Sequence, residues 1–272
     1  MNIIREIDCV AGTAELPDGS VHLTVTSPPF GRMRRYQRGE VFDLPSLAME
    51  LYRVTAEGGI VAWEIYDQIS KGSKVFASHD HVRALSGAGF LAWDHMIAAR
   101  QGGLPLNRNQ RRYPSEWANL LIFSKGTPRV WNPIMIPCST AGSSTTHTKR
   151  RRRDGLMESR PGGPVKSHRV HPNIFRYQVG YRKSTNDTWV HAVHPAIMPE
   201  RLAADMISTW TEPGDLVLDP FCGSGTVPKI AAQMGRQFVG FDIAYSDVAM
   251  ARLAPFEAKY AWARHWFEDS EF

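Results

Sequence analysis

Two short phrases constrain the fold of this chain more than any other feature of the sequence. The first, Thr-Ser-Pro-Pro-Phe at 26–30, ends the largely β-branched run 22–26, because two successive prolines cannot continue a sheet. The second, Asp-Pro-Phe-Cys-Gly-Ser-Gly-Thr at 219–226, ends the apolar run 216–219 with a loop whose glycines permit a tight turn. Ligands of open α/β sheets bind at the carboxyl ends of the strands. Both phrases are therefore predicted to lie at the edge of the sheet that the carboxyl ends of its strands form.

Strand-like and helix-like patterns alternate over most of the chain. Strands are predicted at 3–7, 22–26, 60–65, 90–98, 117–123, 216–219 and 238–242, and helices at 46–55, 81–86, 200–210, 226–234 and from 246 onward. This alternation predicts an α/β fold with a mostly parallel seven-stranded sheet and helices on both faces. From 126 to 188 the periodicity fades, which indicates an insertion with short irregular elements rather than core.

The composition is that of a globular protein. The 272 residues, of which 43% are hydrophobic, are enough for one domain that carries an inserted lobe. Neither a run of eighteen apolar residues nor a signal-peptide pattern is present, so we expect a soluble, untargeted, cytoplasmic protein. Cys9, Cys138 and Cys222 show neither metal-ligand spacing nor a disulfide framework, which fits a reducing compartment and predicts no metal site.

Basic residues are unevenly distributed along the chain. The net charge is +5, and the stretch 143–183 contains eleven Lys or Arg residues against two acids, Asp154 and Glu158. The unbroken basic run 149–153 lies inside this stretch. Such a run is compatible with a solvated loop, and it is also the electrostatic pattern of a surface that binds phosphates.

Two acids end neighbouring predicted strands in the C-terminal part of the chain. Asp242 follows Asp219 by 23 residues, close to the spacing of the ribose-binding acid in nucleoside-binding βαβ units. The phosphate-binding pattern Gly-x-Gly-x-x-Gly is absent, which argues against a dinucleotide. An ordinary βα turn whose acids cap helices is the alternative.

The longer pattern around these acids favours the first interpretation. His194-Pro195-Ala196, the stretch 214–226 and Gly240-Phe241-Asp242 closely resemble the permuted β-class DNA amino-methyltransferases, and the similar block runs from 193 to 252. The resemblance implies a Rossmann-like methyltransferase fold with S-adenosyl-L-methionine as cofactor. It implies that 219–225 line the methionine part of the cofactor and that Asp242 binds the ribose. The residues predicted to bind the cofactor are Asp8, Cys9, His194, Pro195, Asp219, Pro220, Phe221, Cys222, Gly223, Ser224, Gly225, Thr226 and Asp242.

The phrase at 26–30 resembles the catalytic motif of the same family. An amine conjugated to a base ring is a poor nucleophile, so two acceptors must take its hydrogens while an aromatic ring stacks on the extruded base. Ser27, the Pro28 carbonyl and Phe30 would supply these functions, with Pro29 fixing the backbone. His22 departs from the family pattern, in which an acid is more usual.

Serine at position 27 favours cytosine N4 as the methyl acceptor, by family tendency. Adenine N6 on the same scaffold is the alternative, and a non-catalytic DNA-binding regulator is another. A C5-cytosine methyltransferase would need Pro-Cys-Gln, which Pro137-Cys138-Ser139 matches poorly. Glutamine methyltransferases carry Asn-Pro-Pro-Tyr after their cofactor loop, so the order of the two phrases argues against them.

Contacts with double-stranded DNA are expected from two regions. The first directly follows the catalytic motif and consists of Arg32, Arg34, Arg35, Tyr36 and Arg38. The second is the basic stretch 126–188, which lies between a catalytic half at 1–125 and a cofactor-binding half at 189–272. The resemblance implies that this stretch is a target-recognition insertion, since the family carries such regions at this position. Its candidates are Lys149, Arg150, Arg151, Arg152, Arg153, Lys166 and Arg169. A nucleoid-associated location follows, whereas a separately acting restriction endonuclease and the choice between monomer and homodimer stay open.

Overall fold

The computed structural model describes residues 2–29, 42–101, 111–144 and 147–256. Within these ranges the chain forms two compact units. The large unit contains the residues up to Trp131 and those from Asn173 onward, and the small unit spans Asn132–Pro172.

Strands and helices alternate along most of the large unit. The strands of the chain are β1 (Asn2–Glu6), β2 (Val21–Thr26), β3 (Thr55–Ile65), β4 (Gln68–Ser70), β5 (Ser73–Val75), β6 (Leu91–Gln101), β7 (Trp117–Ser124), β8 (Met135–Pro137), β9 (His147–Arg151), β10 (Met157–Pro161), β11 (His168–Val170), β12 (Ile174–Gln178), β13 (Leu216–Asp219) and β14 (Gln237–Asp242). The helices are α1 (Cys9–Ala14), α2 (Leu44–Val54), α3 (Ala77–Gly87), α4 (Val190–Val193), α5 (Glu200–Trp210), α6 (Thr226–Gln233) and α7 (Ser246–Leu253), and a 3₁₀ turn at Ala254–Phe256 follows.

The main sheet has eight strands in the order β1-β14-β13-β2-β3-β7-β6-β12. Neighbouring strands pair in parallel, except that β7 is antiparallel to both β3 and β6. The predicted α/β fold with a mostly parallel sheet is confirmed, with one strand more than the seven predicted.

Strand β12 is the addition, and it lies in the stretch 126–188. It pairs in parallel with β6, and its Phe175 and Tyr177 side chains are buried. The prediction that this whole stretch is irregular rather than core is therefore wrong for 174–178. The alternation of exposed and buried residues is only five residues long, and the burial depends on pairing with a strand more than seventy positions earlier in the chain.

Two neighbouring inner strands of the sheet, β13 and β2, are almost completely buried. Every residue of β13 is buried, and so is every residue of β2 except His22. Helices α1, α2 and α3 contact one another in succession, as do α5, α6 and α7. Strands covered on both faces are typically rich in Val, Ile and Leu, which is the composition of both runs.

His22 ties the amino ends of β2 and β13 together. Its Nδ1 accepts a hydrogen bond from the Leu216 amide over 3.1 Å, and its Nε2 lies 3.7 Å from Asp215 Oδ1. The departure from the family pattern at this position therefore has a structural role, at the edge of the sheet opposite the two phrases.

The small unit consists of two antiparallel strand pairs. β8 pairs with β11, and β9 pairs with β10. The turn between β9 and β10 is closed by the Arg152 amide, which donates to the Leu156 carbonyl over 2.8 Å. None of the helices in the described parts of both units is long and apolar enough to cross a membrane.

Candidate active site

The carboxyl ends of β2 and β13 bring the two phrases together. The strands are neighbours in the sheet, and the Thr26 hydroxyl donates a hydrogen bond to Asp219 Oδ1 over 2.6 Å. Both side chains are buried, although the residues are 193 positions apart in the chain. The predicted catalytic phrase and the predicted cofactor loop therefore begin side by side.

Asp219 has an unusual ionisation equilibrium for a carboxyl group. Burial raises its pKa to about 7, hydrogen bonds from Thr26 and the Phe221 amide oppose this shift, and the Asp242 carboxylate adds to it. The Phe221 N–H donates to Asp219 Oδ1 over 3.2 Å. Both the protonated and the ionised form of Asp219 are therefore populated near neutral pH.

The loop between β13 and α6 packs too closely for side chains at two of its glycines. Gly223 and Gly225 have left-handed backbone conformations, with φ of 46° and 75°. A Cβ atom on Gly223 would lie 2.7 Å from His194 Nε2, and one on Gly225 would lie 2.8 Å from the Ala249 Cα. Glycine is therefore required at both positions.

Asp242 anchors this loop from the end of β14. Its Oδ2 accepts a hydrogen bond from the Gly223 amide over 2.9 Å, and its Oδ1 accepts from the Ala244 and Tyr245 amides over 2.8 Å each. A carboxylate has about four lone-pair positions, so Asp242 can accept a further hydrogen bond from a ligand. Its side chain is only half-buried, which keeps this position accessible.

These groups fit the cofactor that the resemblance implies. The two glycines leave a backbone surface without side chains, and Asp242 offers a carboxylate oxygen suited to a ribose hydroxyl. In S-adenosyl-L-methionine binding, the loop 219–226 would hold the methionine part and Asp242 the ribose. These individual roles stay predictions.

Most of the other residues predicted to bind the cofactor lie in or beside this loop. The buried ones in the loop are Pro220, Cys222, Ser224 and Thr226. Phe221 is half-buried, and Pro195 is exposed. His194 is buried, and its ring packs edge-on against Tyr245 with the centroids 4.4 Å apart.

Asp8 and Cys9 lie where β1 leads into α1. Asp8 Oδ1 accepts hydrogen bonds from the Val10 and Ala11 amides over 2.8 and 3.1 Å, so Asp8 caps the helix. Burial, reinforced by Asp8, raises the pKa of the Cys9 thiol to about 12. A contact of either residue with the cofactor adenine stays a prediction.

Cys222 is a buried thiol inside the cofactor loop. Burial, together with the nearby carboxyls of Asp219 and Asp242, raises its pKa well above the ordinary value. A protonated, enclosed thiol is a poor nucleophile, which agrees with the interpretation of Cys222 as a packing or cofactor-contact residue.

Ser27 and Pro28 directly follow β2 at the same edge. Ser27 is half-buried, Pro28 is buried and Pro29 is half-buried. Ser27 is hydrogen-bonded to Glu64, a buried carboxyl on the adjacent strand β3. Burial raises the pKa of Glu64, while Arg100 and the Ser27 hydrogen bond act in the opposite direction.

Glu64 is a site residue that the sequence did not reveal. It lies within the otherwise apolar run Val-Ala-Trp-Glu-Ile of β3, 3.6 Å from Arg100 Nη2. The Arg100 guanidinium lies over the Tyr66 ring, 4.1 Å from its centroid. An acid inside a buried strand was the available signal, because such a residue needs a partner.

An aromatic cluster flanks the cofactor loop on the side of β3. Phe221 packs against Phe42 with ring centroids 4.7 Å apart and against Trp63 at 6.2 Å. The Trp63 Nε1–H donates to His81 Nδ1 over 3.0 Å. Burial lowers the pKa of His81 to about 4, so the imidazole is neutral at pH 7.

Part of the predicted site lies outside the described residues. These positions are the stacking residue Phe30 and the DNA-contact candidates Arg32, Arg34, Arg35, Tyr36 and Arg38. Their predicted roles stay predictions.

The basic run 149–153 lies on the β9–β10 ribbon of the small unit. Arg150 is the register partner of Glu158, and Arg151 is the partner of Met157. Register partners project from the same face of a ribbon, and successive residues project from opposite faces. Lys149 and Arg151 therefore share one face, whereas Arg150 shares the other with an acid.

All five residues of this run are exposed. The Arg151 Nε–H donates to the Gly155 carbonyl over 3.3 Å, and Arg152 Nε lies 3.7 Å from Asp154 Oδ2. The two other candidates in this unit, Lys166 and Arg169, are exposed as well. The positive charge of the run is thus least compensated on the face of Lys149 and Arg151.

Sequence comparisons identify relatives over most of the chain. The family model for DNA methylases of the N6/N4 type matches residues 21–252. The orphan methyltransferase M.BamHII of Bacillus amyloliquefaciens is 38% identical over 246 residues, which are 87% of this chain and 89% of that protein.

Solved structures share the fold. The PvuII DNA methyltransferase (cytosine-N4-specific) superposes with a TM-score of 0.66 and 20% identity, over 92% of this chain and 85% of that one. M1.HpyAVI, solved in complex with S-adenosyl-L-methionine, superposes with a TM-score of 0.60 and 21% identity, over 93% of this chain and 99% of that one. The family match extends from β2 to α7 and so includes Ser27, the cofactor loop and Asp242. On this evidence the chain belongs to the N6/N4 family of DNA methylases.

Proposed function

We propose that this protein transfers a methyl group from S-adenosyl-L-methionine to the N4 amino group of cytosine in double-stranded DNA. The observation that carries the proposal is the adjacency of the Ser27-Pro28 strand end and the Asp219–Thr226 loop, which the Thr26–Asp219 hydrogen bond holds together. An acceptor amine beside the first would meet a methyl donor held by the second.

The acceptor side needs two hydrogen-bond acceptors for the hydrogens of the amine. The Pro28 carbonyl is one, and its prolyl nitrogen has no N–H that could compete. The Ser27 oxygen is the other. Because Glu64 accepts the Ser27 hydrogen, the lone pairs of the serine oxygen are available to the amine.

The donor side needs a loop that binds the cofactor and orients it. Bound S-adenosyl-L-methionine supplies an electrophilic methyl group on a sulfonium. The loop 219–226 and Asp242 bind and orient that cofactor, and the orientation determines whether the methyl group faces the amine. The buried thiols of Cys9 and Cys222 take no part in the chemistry, since neither is ionised near neutral pH.

The small unit supplies the contacts with DNA. The exposed basic ribbon 147–161 offers Lys149 and Arg151 on one face, where no acid is their register partner. Phosphate contacts of this kind position the duplex without specifying a sequence. We assign target recognition to the stretch 126–188 that contains this unit, and DNA binding also to the arginines at 32–38.

The choice of cytosine over adenine rests on Ser27. A direct test is to incubate the protein with methyl-labelled cofactor and mixed-sequence duplex DNA, digest the DNA and separate the nucleosides. We expect label in N4-methylcytosine, and far less of it in the same short reaction time with the Ser27→Ala variant. Label in N6-methyladenine alone would refute the cytosine assignment, and label only in RNA or protein would refute DNA as the substrate.

A further inference from the structure

A buried cluster of charged side chains lies against the cofactor loop, outside the site described so far. Arg252 of α7 and Lys229 of α6 provide two positive charges, and Asp187 and Glu200 provide two negative charges. The Arg252 side chain is 0% exposed and that of Lys229 is 8% exposed. Buried ions are tolerated when they are paired and hydrogen-bonded in this way.

Two nitrogens of the Arg252 guanidinium bind the acidic side of the cluster. Nε donates to Asp187 Oδ2 over 2.8 Å, and Nη2 donates to Glu200 Oε1 over 2.8 Å and to the Thr185 hydroxyl over 3.0 Å. These contacts hold the planar guanidinium group in one orientation from the acidic side of the cluster.

The third nitrogen reaches the cofactor loop. Nη1 donates to the Ser224 carbonyl and the Thr226 hydroxyl over 2.9 Å each, and to the Ser224 hydroxyl over 3.2 Å. Helix α6 begins after Gly225, which has no side chain to cap it. Arg252 thus holds the residues on both sides of the left-handed glycine.

Lys229 belongs to the same cluster, but its hydrogen-bond partners differ from those of Arg252. Its ammonium group donates to Asp187 Oδ2 and Glu200 Oε1 over 2.7 Å each. In the described part of the chain this ammonium group makes no hydrogen bond to the loop side chains. The contacts with Ser224 and Thr226 therefore distinguish Arg252 from a residue that only balances buried charge.

We propose that Arg252 is a positioning residue for cofactor binding: its guanidinium fork fixes the loop at Ser224 and Thr226 in the conformation that accepts S-adenosyl-L-methionine. The proposal rests on the role proposed above for the loop 219–226. It connects that loop with Asp242 as well, because the Tyr245 amide, directly before α7, donates to the Asp242 carboxylate.

The test is Arg252→Lys in the full chain, with S-adenosyl-L-methionine binding measured by isothermal titration calorimetry. Lysine keeps the charge but lacks the fork that joins acids and loop. We expect a Kd weaker by at least roughly tenfold at a stoichiometry near one. A reduced stoichiometry with unchanged Kd would mean that Arg252 only stabilises the fold, and it would overturn the proposal.

A second variant covers the case in which Arg252→Lys does not fold. Thr185→Val removes a hydroxyl that accepts from Arg252 and from the Asp187 amide and donates to Glu200, none of which lies in the loop, so it should weaken the Kd severalfold. Thr209→Val is the matched control, because it removes a buried hydroxyl whose hydrogen bond among the described residues stays within α5, to the Asp205 carbonyl. We expect the control to bind like the unsubstituted chain, and an unchanged Kd in Thr185→Val would contradict the proposal.

The proposed function and this inference fail in different ways. No cofactor binding by the unsubstituted chain would refute the cofactor role of the loop, and with it both proposals. Normal binding by the unsubstituted chain, together with normal Kd values in Arg252→Lys and Thr185→Val, would refute the positioning role alone.

Discussion

The sheet edge around Asp219 and the ribbon 147–161 are opposites in burial and in charge. At the edge, the carboxyls of Asp219 and Glu64 are buried and hydrogen-bonded to hydroxyls of 26–27. On the ribbon, the basic run 149–153 is exposed. In the function proposed above, the strand ends around Asp219 would act through fixed geometry and altered ionisation, whereas the ribbon would act through charge that stays in solvent. A substitution at the edge should therefore change chemistry or cofactor binding, and one on the ribbon should change the salt dependence of DNA binding.

The largest effect is expected from Ser27→Ala. Loss of one hydrogen-bond acceptor for the reacting amine should lower kcat by roughly 100- to 1,000-fold, while the Kd for the cofactor stays within about twofold. Single-turnover kinetics and calorimetry measure the two quantities. Ser20→Ala, directly before the opposite end of β2, is the control and should keep normal turnover. A loss of cofactor affinity equal to the loss of kcat would contradict the acceptor role of Ser27.

Asp219 should make stability depend on pH. Its pKa is about 7 in the folded protein, above the ordinary value of 3.8. Between these values the unfolded chain is ionised and the native carboxyl is protonated, so the free energy of unfolding falls as pH rises from 4 to 7. The contribution is on the order of 1 kcal/mol per pH unit.

Asp219→Asn isolates this contribution, because the amide oxygen can still accept from Thr26 and the Phe221 amide. Urea unfolding at several pH values should show that the unsubstituted chain loses stability relative to Asp219→Asn as pH rises through this window. A constant difference between the two proteins would show that Asp219 does not titrate there.

Asp242→Asn should weaken cofactor binding by roughly tenfold, since a neutral amide accepts a ribose hydroxyl less strongly than a carboxylate does. The amide oxygen preserves an acceptor for the amides before α7, whereas the amide nitrogen cannot accept from the Gly223 N–H, so the loss of that hydrogen bond adds to the effect. Asp247→Asn, an exposed acid in the first turn of the same helix, is the charge-matched control and should leave the Kd unchanged. Equal Kd values for Asp242→Asn and Asp247→Asn would contradict the proposed contact of Asp242 with the ribose.

The smallest effect is expected on the ribbon. Lys149→Gln/Arg151→Gln and Arg150→Gln/Arg152→Gln each remove two positive charges, but from differently compensated positions. The first pair should reduce the slope of log Kd for DNA against log salt by up to about 1.8, since each phosphate contact contributes about 0.9. The second pair should change it clearly less, because Glu158 and Asp154 already face those arginines. Equal changes would show that the ribbon has no preferred face.

The fold could be predicted from the sequence wherever strands end at distinctive residues. The bounds predicted for 200–210 and 216–219 agree with α5 and β13, because a clear amphipathic period and an acid followed by proline mark them. Strand β12 escaped prediction, because its short pattern becomes recognisable only when β6 lies beside it.

The same distinction applies to the candidate site, where some residues could be predicted from the sequence and others could not. Asp219 and Asp242 were predictable because each ends a strand. The roles proposed for Glu64 and Arg252 could not be predicted, since they depend on partners 37 and 28 positions away in the chain, Ser27 and Ser224. The ribbon was predictable in charge but not in register, which depends on how β9 and β10 pair.

Methylation in cells tests the central claim most directly. DNA from cells that express the protein, or its Ser27→Ala variant, can be sequenced with chemistry that distinguishes N4-methylcytosine from N6-methyladenine. We predict N4-methylcytosine at one recurring sequence in the first sample and a much smaller methylated fraction of that sequence in the second. N6-methyladenine at such a sequence, or equal methylation in both samples, would contradict the assignment of Ser27 and cytosine N4.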